Sequence, residues 1–368
     1  MYFCQQMASR LVLKEFESVA SPASRGVVRV RELESEDFPR WDQFVADCSE
    51  ATFFHQAGWK TVIEQAFGHR TSFFFAEVDG RIEGVLPLAE VSSFLFGHTL
   101  VSLPFCVYGG IAAASERARR ALDDAARACA EQLKVDHLEY RSRVPTHDNW
   151  VEKDLYVTFR KELDPDIERN LLAIPRKQRA MVRKGIKAGL KSEIDPGVER
   201  FFAAYSDSVH RLGTPVFSKR YFEILTQVFR SDCEVLTITR EDGRLIASVL
   251  SFYFRDEVLP YYGGGTAEAR DVAGNDFMYW EVMRRACERG VRVFDFGRSK
   301  RGTGSFDFKK NWGFEPQQLH YKYLLIKGKY VPDHNPLNPK YQMFIKLWQR
   351  LPLRLANLLG PHIVKSLG

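Results

Sequence analysis

Metal-ligand spacing is missing from this 368-residue chain. Its nine histidines form no HExxH pair, and its six cysteines (Cys4, Cys48, Cys106, Cys129, Cys233, Cys287) include no CxxC. The pattern predicts a reduced, cytoplasmic protein with no disulfide framework and no metal. Neither GxSxG nor a Cys-His signature occurs, so nothing argues for a covalent enzyme intermediate. Residues 1–27 hold no apolar run long enough for a secretory signal. The most apolar region, Val85 to Ala114, is broken by Pro87, Glu90, His98, Pro104 and Gly109-Gly110. It reads as a set of strands and not as a membrane span.

Acidic residues are absent from two stretches. Residues 176–191, "RKQRAMVRKGIKAGLK", hold seven basic residues, and residues 338–368 hold five (Lys340, Lys346, Arg350, Arg354, Lys365). The net charge is only +6, so the rest of the chain is net acidic. An ordinary body with two basic patches localises the search for an anionic partner. An apolar share of 45% and 28 phenylalanines speak for a folded chain of one large or two ordinary domains.

The pattern of elements repeats. "VVRVREL" alternates as a strand, and "TSFFFAEVDGRIEGVLPLAEV" is a hairpin about Asp79-Gly80. "SERARRALDDAARACAEQLKV" is a helix and "DHLEYRSR" a strand. In the second half, helices at 176–191 and 198–212 lead to a hairpin about Asp242-Gly243. A strand ending "LPYYGGG", a helix Asp276 to Arg289 with Asn275 as cap, strand "VRVFDFG", a short helix 305–312 and strand "QQLHYKYLLI" follow. This predicts an α/β (α+β) chain of two similar domains, each a mixed sheet flanked by helices. The boundaries are 28–160 and 161–330, after an N-terminal extension 1–27. Residues 331–368 form a Pro-rich arm and basic amphipathic helices broken at Pro352 and Pro361.

"FDFGRS", with "FKKNWGF" a few residues on, resembles the C-terminal signature of FemAB-type transferases, which are built from two GNAT-like acyltransferase domains in tandem. "PRKQRAMVRKGIKAGL", "LGTPVFSKRYF", "PYYGGGTAEARDVAGNDFMYW" and the tail "NPLNPKY…LPLRLANLLGPHIV" are similar to the FemAB-related subgroup associated with exosortase and PEP-CTERM systems. The likeness runs from about Thr52 onward. It implies an acyltransferase in cell-envelope or exopolysaccharide synthesis. Fem transferases move an aminoacyl group from charged tRNA to an amine of a UDP-linked precursor. Ordinary GNAT enzymes instead hold acetyl-CoA on an R/Q-x-x-G-x-G/A loop after the fourth strand. Here Arg270 to Gly274 is one residue too long for that loop, which argues against CoA. The donor stays open between aminoacyl-tRNA and acyl-CoA, with no permanently bound cofactor. A non-catalytic component of exopolysaccharide assembly is the non-enzyme alternative.

The resemblance makes Lys309 the oxyanion-stabilising cation, with Phe308 and Trp312 beside it. Arg298, Ser299 and Lys300, with Gly302 and Gly304, form a loop after a strand end, suited to an anion. Arg179 and Arg183 lie on one face of the basic helix with Arg176 and Lys187, where guanidiniums suit a diphosphate or a tRNA backbone. Met181, Ile186 and Leu190 are expected to face inward. Tyr261 and Tyr262 are expected to line the acceptor cleft, with Tyr262 in proton transfer. Asp295 and Asp276 are candidates to orient the amine, and Lys60 to contact phosphate. The expected acceptor is a sugar or peptide carried on a nucleotide or lipid diphosphate. Without interleaved aromatics in the basic helix, sequence-specific DNA binding is not expected. The tail 338–368 could rest on the inner membrane or pack on the body.

Overall fold

Each half of the chain carries one parallel strand pair joined by a helix, and that unit organises everything else. The computed structural model describes residues 26–93, 97–331 and 339–366. Cys4 and most of the extension 1–27 lie outside them. The first half runs β1 (Arg29–Glu32), α1 (Phe38–Asp47), α2 (Gly58–Phe67), β2 (Thr71–Val78), β3 (Arg81–Ser93), β4 (Gly97–Val101), β5 (Ala112–Ala113), α3 (Glu116–Leu133), β6 (His137–Ser142) and β7 (Val151–Lys153). Next come β8 (Tyr156–Glu162), α4 (Ile167–Ala173), α5 (Arg176–Lys187), β9 (Lys191–Asp195), α6 (Glu199–Arg211), α7 (Lys219–Phe229), β10 (Cys233–Thr239), β11 (Leu245–Phe254), β12 (Glu257–Gly265) and α8 (Gly274–Glu288). The chain continues through β13 (Val293–Asp295), β14 (Ser299–Lys300), α9 (Gly304–Asn311), β15 (Pro316–Gln318), β16 (His320–Leu325), α10 (Pro339–Gln349) and α11 (Leu353–Val364).

The first sheet has the order β1-β2-β3-β4-β6-β16-β7, and the second β14-β8-β13-β12-β11-β10-β9. In each, an antiparallel meander leads to one parallel pair, β4 with β6 and β12 with β13. The helices α3 and α8 make the crossovers, as parallel pairing requires. The β2–β3 hairpin turns at Asp79 and Gly80, both at positive φ (49° and 78°), as a two-residue turn of that hand demands.

The halves exchange their last strands. β16, expected to close the second domain, pairs with β6 in the first sheet. β8, which straddles residue 160, pairs with β13 in the second. A contiguous aromatic core also joins them. Phe53 stacks on Phe252 at 4.3 Å and Phe54 lies 5.2 Å from Tyr261. Trp59 of α2 packs 5.2 Å from Phe229 of α7. Phe217, in the stretch before α7, completes the same cluster against Tyr221 and Tyr262.

Two local readings need correction. α8 begins at Gly274, not Asp276, and Asn275 is not its cap. Ala273 precedes the helix in the left-handed region (φ 56°) with no side-chain cap. Gly274 is required there, because a Cβ would lie 2.4 Å from Ile246. The inward face of α5 is Gln178, Val182 and Gly185, not Met181 and Ile186, and Ile186 is 49% exposed. A Cβ at Gly185 would meet Phe277 at 2.6 Å, so α5 seats directly on α8.

The parallel pair of the first half is sealed just past its last paired residues. Arg141 N donates to Ser102 Oγ (2.9 Å) and Gly109 N to Arg141 O (2.8 Å). A Cβ at Gly109 would sit 2.0 Å from Ser102 O. Gly109→Ala is therefore expected to destabilise the protein by about 3 kcal/mol in urea unfolding, through forced backbone displacement. A variant as stable as wild type would contradict this close approach.

Candidate active site

The second parallel pair is open. β12 and β13 pair only at Glu257–Val293 and Val258–Phe294. A bulge then leaves Tyr261 unpaired between Pro260 and Tyr262. Bulges bend a strand and increase its twist, so β12 parts from β13 at the carboxyl end, where α/β folds take ligands.

β13 divides its side chains by its two-residue period. Phe294 and Phe296 enter the core with Trp312 and Phe314. Asp295 points the other way and is fully buried. Its carboxylate accepts from Tyr108 (2.7 Å), Thr158 (3.1 Å) and the amide of Gly297 (2.7 Å), and faces Arg160 at 3.3 Å. Burial and the Asp295 charge push the Tyr108 phenol well above its usual range, which keeps it a donor. Tyr108 comes from the first half, so Asp295 joins both halves directly beneath the site.

After Asp295 the chain reverses at Gly297 (φ 66°) and presents Arg298. That guanidinium lies 4.7 Å from the Tyr156 ring centre and 5.7 Å from that of Tyr321, and donates to the Tyr321 hydroxyl at 3.2 Å. Burial works against its charge, but the phenols of Tyr321, Tyr156 and Tyr261 hold its pKa above the ordinary arginine value. Arg298 has no ion-pair partner among the described residues. Lys300 lies 5.6 Å from the Tyr156 ring centre. Ser299 is buried, and its hydroxyl has no hydrogen-bond partner among the described residues.

Lys309, on α9, reaches back over this turn. Its Nζ donates to Gly297 O (2.9 Å) and Arg298 O (3.0 Å) and lies 5.8 Å from the Phe159 ring centre. Among the described residues no carboxylate is within ion-pair distance of it. Burial pulls its pKa down to about 7; Asp295 opposes the shift and Arg298 adds to it. With two carbonyls holding two N–H bonds, the remaining position carries either a proton or a lone pair. α9 begins at Gly304, after Thr303, whose side chain does not cap it. A Cβ at Gly302 or Gly304 would meet nothing within 4 Å. Gly302 is explained by its φ of 73°. At Gly304, no packing or positive φ calls for glycine, and the uncapped amides beside it suit an anion.

Residues 176–310 match the model of an acetyltransferase (GNAT) domain. That match lies wholly within residues 161–330, the expected second domain. No curated protein matches the chain in sequence. Its fold is similar to that of the crystal structure of FemX (TM-score 0.63, 15% identity, covering 86% of this chain and 100% of that one). It is also similar to the C-terminal domain of a putative lysylphosphatidylglycerol synthetase from Agrobacterium fabrum (TM-score 0.55, 12% identity, covering 78% and 92%). A tandem GNAT protein from the clavulanic acid biosynthesis pathway matches at TM-score 0.51 and 14% identity, covering 83% and 100%. The two-sheet architecture is thus that of tandem GNAT proteins.

The structure separates the expected residues. Arg298, Ser299, Lys300, Gly302, Gly304 and Lys309 share one turn. Phe308 lines it in part and packs on Tyr279 at 5.6 Å. Trp312 does not line it. It is fully buried, and its indole N–H donates to Asp276 (3.0 Å). Asp276 also accepts from Gln178, and burial raises its pKa, so it anchors α5 and α9 to α8. Tyr262 is a core residue too, because its hydroxyl pairs with that of Tyr221 (2.9 Å) among the α6 and α7 aromatics. Tyr261 donates to Phe105 O (3.1 Å) and holds the first-half loop against the bulge. Lys60 is occupied by Glu64 and Thr71. Arg179 donates to Leu172 O, while Arg183 is exposed. Sequence reading missed Tyr156, Tyr321, Tyr108, Thr158 and Tyr279. The Tyr279 hydroxyl, whose pKa burial pushes up to about 12, lies where a Cβ on Gly263 would be 3.3 Å away.

Proposed function

We propose that this chain transfers an aminoacyl group from charged tRNA to an amine of a precursor carried on a nucleotide or lipid diphosphate. The reaction would serve cell-envelope or exopolysaccharide synthesis on the cytoplasmic side of the inner membrane, in the exosortase/PEP-CTERM-associated branch of FemAB-related proteins. The observation that carries the reading is Lys309, pinned by two carbonyls at the mouth of the splayed strands, beside an Arg298 that is ion-paired with no described residue. Neutral Lys309 takes a proton from the arriving ammonium, and the free amine attacks the ester carbonyl carbon. The resulting lysinium then sits beside the oxyanion. The C–N bond forms, the C–O bond to the ribose breaks, and the leaving oxygen takes the amine's second proton. Lys309 returns its proton to solvent. Arg298, Lys300 and the amides at Gly304 hold the diphosphate of the acceptor, and Asp295 positions the Gly297 turn from below.

The preference for tRNA over CoA rests on two features. The first turn of α8, where a GNAT enzyme would receive the CoA diphosphate, already contains the buried Asp276 carboxyl. The solvent face of α5 carries Arg176, Lys177, Arg183, Lys184 and Lys187, all exposed and none ion-paired with a described residue. Such a row matches a phosphate backbone. Calorimetric titration with acetyl-CoA at millimolar concentration should show no binding. Transfer from charged tRNA should fall about tenfold or more in an Arg183→Glu/Lys184→Glu variant, with a shallower salt dependence. One-site acetyl-CoA binding, or unaltered transfer in the variant, would replace this donor.

A further inference from the structure

α10 and α11 are apolar on two opposite faces. The inner face is docked on the body. Trp348, Ala356 and Val364 are buried, and a Cβ on Gly360 would lie 2.8 Å from Val216 N. Gln349 Nε2 donates to Arg211 O, and His69 Nε2 lies 2.8 Å from Lys365 O. The outer face remains open: Met343 is 66% exposed, Leu347 56%, Leu355 46%, Leu358 64% and Leu359 45%. Helical spacing puts Met343 and Leu347 on the side of α10 away from Trp348. It also puts Leu355, Leu358 and Leu359 on the side of α11 away from Ala356 and Gly360. Beside these leucines stand Lys346, Arg350, Arg354 and Lys365. None of the four is ion-paired with a described residue, although most arginines of the body are paired. No acid lies between residues 338 and 368.

We infer that the outer face of α10 and α11 docks on an anionic phospholipid surface, with the leucines at the acyl boundary and the four cations at the head groups. A helix pair that is apolar inside and outside requires a second apolar phase, and a soluble monomer seldom leaves such a patch open. A second copy is the poorer occupant, because a two-fold contact would set eight unpaired cations against one another. Crossing the membrane is not available, since no helix among the described residues is long and apolar enough. Long basic side chains beside an apolar stripe instead suit a helix lying in the interface. Because the inner faces are docked on α6 and the Val216 segment, the surface holds the whole enzyme in one orientation. The inference rests on the tail alone and is independent of the transferase reading.

The test is sedimentation of the full chain with vesicles of phosphatidylglycerol and phosphatidylethanolamine, against vesicles of phosphatidylcholine. The anionic vesicles should pellet about tenfold more protein at low salt. Leu355→Ser/Leu358→Ser/Leu359→Ser should lower that partition at least about tenfold while the melting temperature holds. Arg350→Glu/Arg354→Glu should abolish the preference for anionic lipid without touching a buried residue. Wild type remaining in the supernatant, or pelleting that neither variant reduces, overturns the proposal. So does a salt-stable dimer in sedimentation equilibrium that the leucine variant dissolves. Activity is not the readout, so failure here leaves the catalytic assignment intact.

Discussion

Lys309→Met is expected to lower kcat about 10³-fold and to leave the protein at least as stable as wild type. The two outcomes share one cause. Burial costs the ammonium form its hydration, and two carbonyls without a carboxylate only partly replace it. The folded pKa of about 7 lies below the ordinary lysine value of 10.5. Between those values the unfolded chain binds more protons than the folded one, so stability rises with pH across that window. At and below pH 7 the full penalty is present. Methionine fills similar space without the charge, so melting temperatures of wild type and variant should differ most near pH 6 and converge toward pH 10. Activity in wild type should rise through about pH 7 as Lys309 becomes neutral, and the variant should lose that limb. A variant with wild-type turnover, or one that melts well below wild type at pH 6, would falsify the role given to this residue.

Asp295→Ala should unfold the protein at markedly lower urea, a loss of about 4 kcal/mol. The substitution leaves the buried Tyr108 hydroxyl, Thr158 hydroxyl and Gly297 amide without their acceptor, and removes the carboxylate facing Arg160. Asp295→Asn keeps the shape and one acceptor oxygen, and should recover about half of that loss. Both variants should also lower kcat more than they raise KM, because the Gly297 turn that holds Lys309 is tied down by this carboxylate. If Asp295→Ala were as stable as wild type and impaired only in KM, Asp295 would belong with the substrate contacts and not beneath them.

The local elements were legible because their signals are local. Two apolar runs within residues 71–93, flanking the Asp79-Gly80 turn, specify a hairpin whatever surrounds them. The glycine-flanked run after "FDFG" could be singled out on the same grounds, whereas the lysine on the following helix was marked by the motif resemblance of "FKKNWGF". The aromatic clamp on Arg298 could not. Tyr156 and Tyr321 read only as strand residues, the first across the expected domain boundary at 160 and the second in the last strand of the expected second domain. The strand exchange alone puts them together. Trp312 and Tyr262 misled for the opposite reason. Aromatic residues next to functional ones in sequence were assigned to the cleft, whereas Asp276 and Tyr221 show that their polar ends already have partners inside the core. On α5, a buried Gln178 and Gly185 displaced the apolar residues expected to face inward, because the close approach to α8 admits only a glycine.

The exchanged strands also impose an order in time. As the chain leaves the ribosome, β6 emerges with one edge of the first sheet unpaired, and its partner β16 is not made until residues 320–325. At cellular synthesis rates that gap is on the order of ten seconds. For that interval the β6 edge, its backbone groups unpaired, is open to any passing chain. Truncation near residue 160 would make the interval permanent, since each fragment would lack a strand that only the other supplies. The nascent protein is therefore committed to finishing both sheets almost at once, late in synthesis, and its dependence on chaperones should be set by this wait more than by its final stability.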